Sequence, residues 1–216
     1  MDQDLGKPIQ GVQVPDEKPR RVALVTLGCK VNQCESAGIA ERLRQRGHTL
    51  VGFEEEADVC IVNTCTVTAR TDYQSRQLIR RAARRNPQAP VIVTGCYAQV
   101  APEQIETLPN VRLVAGNLEK QTIPDLVGML NGGPPEVRVQ DIGKARRFSG
   151  LTADRFPGRT RAFLKIQDGC DARCSYCIVP MARGPSRSMP IRDVLGRVEA
   201  LSGAGYREIV LTGVHL

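Results

Sequence analysis

The sequence has no tryptophan, and aromatic residues make up only 4% of its 216 positions. A surface that stacks successive bases on aromatic rings is therefore not built into it. Histidine is almost as scarce, with His48 and His215 the whole supply. That argues against a histidine-rich metal centre, and no Ser–His–Asp arrangement of a hydrolase is present. There is no Walker-type phosphate loop and no patterned pair of carboxylates. No stretch approaches 18 consecutive apolar residues, which excludes a helix that spans a membrane. The opening MDQDLGKPIQGVQVPDEKPRR lacks the apolar core of a secretory signal.

What stands out instead is cysteine, present eight times. In a chain without a secretion signal a cytoplasmic location is expected, where thiols stay reduced. These cysteines then read as metal ligands, redox groups or core residues rather than as a disulfide framework. The remaining composition, 41% hydrophobic and 25% charged, is that of a globular protein of one or two small domains. Lys and Arg outnumber Asp and Glu by 30 to 23, a net charge of +7 that suits a polyanion such as RNA. Basic residues gather at Arg70, Arg76, Arg80, Arg81, Arg84 and Arg85, at Lys144, Arg146, Arg147, Arg155, Arg159 and Arg161, and at Arg183 and Arg187. Arg76, Arg80 and Arg84 share one helix face by their spacing.

Residues 1–20 read as a disordered lead-in. Strands are expected at 21–29, 49–53, 57–65, 89–96 and 111–117. Helices are expected at 32–47, 66–86, 101–108 and 119–130. Such alternation implies an α/β fold with a parallel sheet and helices on both faces, here over residues 21–130. Residues 131–160 read as a linker with an uncertain strand near Val137–Val139. From Ala162 a second unit follows: a strand, a cysteine-rich loop, a helix at 191–205 and a strand at 207–214.

The loop Cys170-Asp-Ala-Arg-Cys174-Ser-Tyr-Cys177 places three thiols within eight residues, between a strand and a helix. It therefore sits at the carboxyl end of the sheet, where α/β proteins place their chemistry. Zinc would want a fourth ligand, and neither histidine is nearby. On an iron–sulfur cluster, three ligands leave one iron open to a substrate or cofactor. In the first unit, Cys29, Cys65 and Cys96 each end a strand, one strand–helix repeat apart. Parallel strands end on the same edge, so these three should converge, either as a second cluster site or as scattered core thiols. Cys60 reads as a small buried hydrophobe. Cys34 reads as a structural residue or a spare thiol, His48 as a solvated turn residue, and His215 as a residue just past a strand end.

The string FLKIQDGCDARCSYCIVPMARGPSRS (163–188) resembles the radical S-adenosylmethionine (SAM) methylthiotransferases. The contexts LGCKVN, NTCTVT and TGCYAQ around Cys29, Cys65 and Cys96 resemble their N-terminal domain. The resemblance implies a Rossmann- or flavodoxin-like domain followed by the first βα units of a TIM-type barrel. It implies two [4Fe–4S] clusters, one on Cys170, Cys174 and Cys177 with SAM on the open iron, the other on Cys29, Cys65 and Cys96. Tyr176 matches the position near the SAM adenine, with plain core packing as its other reading. LGCKVNQCES and LTGVHL look most like the enzymes that methylthiolate C2 of N6-threonylcarbamoyladenosine beside the tRNA anticodon. Isopentenyladenosine and an aspartate of a ribosomal protein are the alternative substrates, and a non-catalytic iron–sulfur or RNA-binding fragment is the alternative to an enzyme. The implied partners are tRNA rather than DNA, and a flavodoxin-type electron donor. Members of this family are longer than 216 residues and carry more barrel units and a C-terminal RNA-binding module, so the chain is expected to be part of such an enzyme.

Overall fold

A computed structural model describes residues 18–130, 133–148, 150–156 and 158–216. Most of the predicted lead-in lies outside the described residues. The chain begins with β1 (Arg21–Thr26), α1 (Lys30–Gln45), β2 (Thr49–Val51), β3 (Val59–Thr64), α2 (Ala69–Arg85) and β4 (Val91–Gly95). Next come α3 (Cys96–Val100), α4 (Glu103–Glu106), β5 (Val111–Ala115), a 3-10 turn at Glu119–Thr122, α5 (Ile123–Leu126) and β6 (Glu136–Arg138). These six strands form one sheet in the order β2-β1-β3-β4-β5-β6, and every pairing in it is parallel. The first five follow the flavodoxin-like order, with its switch point between β1 and β3.

Alternation along the strands decides which layer covers which face. Val22, Val59, Ile61, Ile92 and Leu113 point to α1 and α5, where Ile39, Leu43 and Ile123 meet them. Ala23, Cys60, Val62, Val91, Val93 and Val114 point the other way, to Ile79 and Ala82 of α2, Tyr97 of α3 and Ile105 of α4. Cys60, 1% exposed, is a core residue as expected. α2 begins at Ala69 rather than Thr66 because Thr68 caps it, accepting from the Thr71 N–H while Thr71 Oγ1 accepts from the Thr68 N–H. The helix expected at 119–130 is broken into a 3-10 turn and one short helix. Pro124 has no N–H for a continuous ladder and stands instead in the first turn of α5.

The second unit contains β7 (Ala162–Lys165), β8 (Gln167–Asp168), α6 (Val179–Arg183), β9 (Arg187–Ser188), α7 (Ile191–Gly203) and β10 (Ile209–Thr212). β7 and β10 pair in parallel around α7, and β8 pairs with β9 antiparallel. Its core joins Phe156, Phe163, Leu164, Val194 and Leu201 to Cys34 and Ala37 of α1. Helix α1 is thus packed on two sides, by the sheet through Ile39 and Leu43 and by the second unit through Cys34. The segment 131–160 is more than a tether. Its Glu136–Arg138 is the edge strand of the first sheet, and Leu151 packs in the core under α1. No helix among the described residues is long and apolar enough to cross a membrane.

Candidate functional site

The carboxyl ends of β1, β3 and β4 carry Cys29, Cys65 and Cys96, and the structure brings them together. All three line one cavity of about 380 Å³ at the switch-point edge of the sheet. Its other wall comes from the second unit: Ile178, Val179, Ala182 and Arg183 just after the cysteine loop, and Thr212 to Val214 at the end of β10.

The close approach depends on two glycines. Gly28 has φ +101°, and a Cβ there would stand 2.8 Å from Cys65 Cβ and 2.9 Å from its sulfur. Gly95, also at φ +101°, leaves no room for a Cβ beside the Thr64 carbonyl. Side chains then lock the three strand ends to one another. Asn32 Nδ2 donates to the carbonyls of Leu27 (2.8 Å) and Thr64 (2.9 Å), and Thr64 Oγ1 donates to the Thr94 carbonyl at 2.5 Å. Burial pushes the Cys65 thiol up; the Val67 N–H opposes this, and the neighbouring Cys96 and Cys29 add to the rise.

A lone ion would need its ligands about 2.0–2.3 Å from one point. Among the described residues no three His, Cys, Asp or Glu side chains gather in that way. A ring of thiols around open space instead suits a larger, sulfur-ligated group, and an iron–sulfur cluster fits this donor set.

The second set lies on the loop between β8 and α6. Cys170 and Cys177 are half-buried and Cys174 is exposed. The Cys170 N–H donates to the Gly184 carbonyl at 3.1 Å and the Cys177 N–H to that of Cys174 at 3.0 Å. Tyr176 is 90% exposed, which rules out core packing within this chain. His215 is exposed, and its N–H donates to Gln167 Oε1 at 2.9 Å.

Two expectations need correction. His48 is buried rather than solvated, with its Nδ1 accepting from the Arg20 N–H. It follows the sharp turn at Gly47 and points inward. Arg183 and Arg187 do not belong to a basic surface, since they are 2% and 7% exposed. They are drawn inside by carboxylates that the sequence had not paired with them: Arg183 bonds Glu35 and Asp168, and Arg187 stands 3.7 Å from Asp168. None of the α2 arginines is buried, although some of them pair within the protein. Arg81 and Arg85 pair with Glu54, and Arg76 donates to the Tyr97 hydroxyl at 2.6 Å. Cys34 is a structural thiol. Burial, reinforced by adjacent Glu35, pushes its pKa up to about 12.

Sequence reasoning missed the charged group that joins the two units. Glu35 of α1 accepts from Lys120 (2.5 Å), Lys165 (2.8 Å) and Arg183 (2.9 Å), and Asp168 accepts from Lys165 (3.0 Å) and Arg183 (2.9 Å). Burial would raise the Glu35 pKa, but Arg183, Lys120 and Lys165 hold it well below the usual carboxylate range. Burial lowers that of Lys120, which among the described residues pairs with Glu35 alone, whereas for Lys165 burial is outweighed by Glu35 and Asp168, which hold it above its ordinary value. One signal was available. Asn32, Glu35 and Ser36 recur on the same buried stripe of α1 as Ile39 and Leu43, and polar residues on a core-facing stripe call for partners.

Residues 21–116 match the uncharacterized protein family UPF0004, and residues 164–215 match the radical SAM superfamily. The chain is 44% identical to a threonylcarbamoyladenosine tRNA methylthiotransferase of Bacillus subtilis, over 90% of this chain and 43% of that protein. It is 40% identical to the protein of the same name from Aquifex aeolicus, over 91% of this chain and 48% of that protein. With a ribosomal protein uS12 methylthiotransferase of Roseiflexus it shares 32%, over 89% of this chain and 45% of that one. The chain spans less than half the length of these curated relatives. The chain thus contains a UPF0004 domain over residues 21–116 and radical SAM sequence over residues 164–215, and over about nine-tenths of its length it is similar to methylthiotransferases.

Proposed function

We propose that the chain is the cluster-binding part of a tRNA-modifying enzyme. The enzyme adds a methylthio group to C2 of N6-threonylcarbamoyladenosine beside the anticodon, in the cytoplasm, with a flavodoxin-type reductant. In this reading residues 21–130 and 161–216 are two domains joined by 131–160. Cys29, Cys65 and Cys96 hold one [4Fe–4S] cluster. Cys170, Cys174 and Cys177 hold another, with SAM at its open iron and Tyr176 beside the adenine. When bound, these groups supply radical and sulfur chemistry, which is needed because no side-chain base is strong enough to take a proton from an aromatic C–H.

The chain's own residues bind, position and shield. Gly28 and Gly95 let the strand ends come close, Asn32 fixes them, and Ile178, Val179 and Val214 give the cavity an apolar wall. The carrying observation is that single cavity, which has the first cysteine set on one side and the segment after the second set on the other. The tRNA substrate rests on relatives at 44% and 40% identity, against 32% for the ribosomal-protein enzyme.

Anaerobic reconstitution tests the reading. About eight irons per chain are expected, since each cubane holds four, falling to about four in Cys65→Ala and in Cys170→Ala. Bound zinc, or iron that neither substitution removes, would overturn it.

A further inference from the structure

The two cysteine sets belong to different units and lie far apart in sequence. One guanidinium connects them. Arg183, the last residue of α6, is 2% exposed and spends its fork on both units. Towards the sheet, its Nη2 donates to Asn32 Oδ1 at 2.5 Å and to Glu35 Oε2 at 3.3 Å, and its Nη1 to Glu35 Oε1 at 2.9 Å. Towards the second unit, the same Nη1 donates to Asp168 Oδ1 at 2.9 Å.

Two of these partners, Asn32 and Asp168, lead directly to the cysteine sets. The Asn32 amide holds the carbonyls of Leu27, two residues before Cys29, and of Thr64, immediately before Cys65. Asp168 Oδ1 accepts from the N–H of Gly169, immediately before Cys170, at 2.9 Å. The Gly184 carbonyl, next to Arg183, accepts from the Cys170 N–H itself. A continuous set of hydrogen bonds thus runs from the peptides before Cys29 and Cys65, through Asn32 and Arg183, to the peptides on either side of Gly169.

We infer that Arg183 is a positioning residue that fixes the distance and orientation between the two cysteine sets. Its planar fork is what the role needs. Lysine keeps the charge but is a single point donor, and cannot hold Asn32, Glu35 and Asp168 at once. The role rests on the two-cluster reading only where clusters are measured; the joining of the two units can be tested without them.

The test uses the full chain carrying Arg183→Lys or Arg183→Gln, with Arg197→Gln, a surface ion-pair residue, as control. Calorimetry of the metal-free protein is expected to give one transition for wild type and Arg197→Gln, and two for both Arg183 variants. After reconstitution, iron content is expected to stay at the wild-type level in all of them. The spin–spin broadening between the two reduced clusters, read by electron paramagnetic resonance, is expected to be lost in both Arg183 variants. A single transition with unchanged broadening in Arg183→Lys would overturn the inference, because it would show that charge alone suffices. Wild-type protein that holds one cluster or none would overturn the two-cluster reading, while the calorimetric result would still decide for or against the joining role. Should the Arg183 variants fail to fold, Asp168→Asn, which keeps an acceptor for the Gly169 N–H, is read in the same way.

Discussion

In the first sheet every residue of β3 and β4 is buried, and so is every residue of β7 in the second unit, whereas of its partner β10 only Thr212 is. The first has helices on both faces and two apolar cores. The second has one parallel pair of strands, and Ile191, Leu195 and Leu211 are 73%, 56% and 46% exposed. One region is stabilised by its own sheet, while the other leans on its neighbour through Cys34, Ala37 and the buried charges around Glu35. The difference follows from strand number. β3 and β4 each have a neighbouring strand on both sides, whereas β10 pairs with β7 alone among the described residues and keeps a free edge.

The strongest challenge to this comparison is to remove the carboxylate at the junction. Glu35→Ala leaves Lys120, Lys165 and Arg183 buried with too few partners, and should cost about 3–5 kcal/mol. Urea unfolding followed by far-ultraviolet circular dichroism measures it. A loss no larger than that of a surface mutation would mean that the units are joined by apolar contact alone. A matched pair of truncations sharpens the contrast between the strands. Ile61→Ala, in a fully buried strand, should cost about 2–5 kcal/mol, while Leu211→Ala in β10 should cost less than about 1 kcal/mol.

Acid should loosen the junction. The Glu35 pKa is depressed in the folded protein, so its contribution is complete above the unfolded carboxylate value of about 4.3. It is lost as the pH falls from there through the folded value. Between pH 7 and pH 3, wild type should therefore lose more stability than Glu35→Gln, which lacks this term. Equal losses would place the acid sensitivity elsewhere. Thiol reactivity offers a gentler test. In the native, metal-free chain, iodoacetamide should reach exposed Cys29 and Cys174 first, and Cys34 and Cys60 only after unfolding, as read by mass spectrometry. The smallest effect is expected at Arg197, whose pairing with Asp154 is solvent-exposed. Arg197→Gln should change stability by less than about 1 kcal/mol, against the much larger effect at buried Glu35.

Much of this could be read in the residues. The apolar runs that became β1, β3, β4 and β5 are short and end in Gly or small polar residues, so strand and turn signals agreed. Convergence of Cys29, Cys65 and Cys96 followed from parallel strands sharing an edge. Less was legible where local pattern was weak. Helices α3 and α6 have five residues each, too few to develop a period, and both lie beside cysteine sites. The arginines misled because the pattern of charge along a chain does not say which cations find a carboxylate from another element.

The sequence alone thus determined the α/β alternation and the spacing of the two cysteine sets, because strand order and thiol spacing are properties of the chain. Tertiary structure decided that the first set faces the segment after the second across one cavity. It decided that Cys34 is a core thiol, and that Glu35, Lys120, Lys165, Asp168 and Arg183 form one buried group. Those outcomes depend on which side chains meet after loops of up to 148 residues have closed. Only the folded chain brings such distant partners within hydrogen-bonding range.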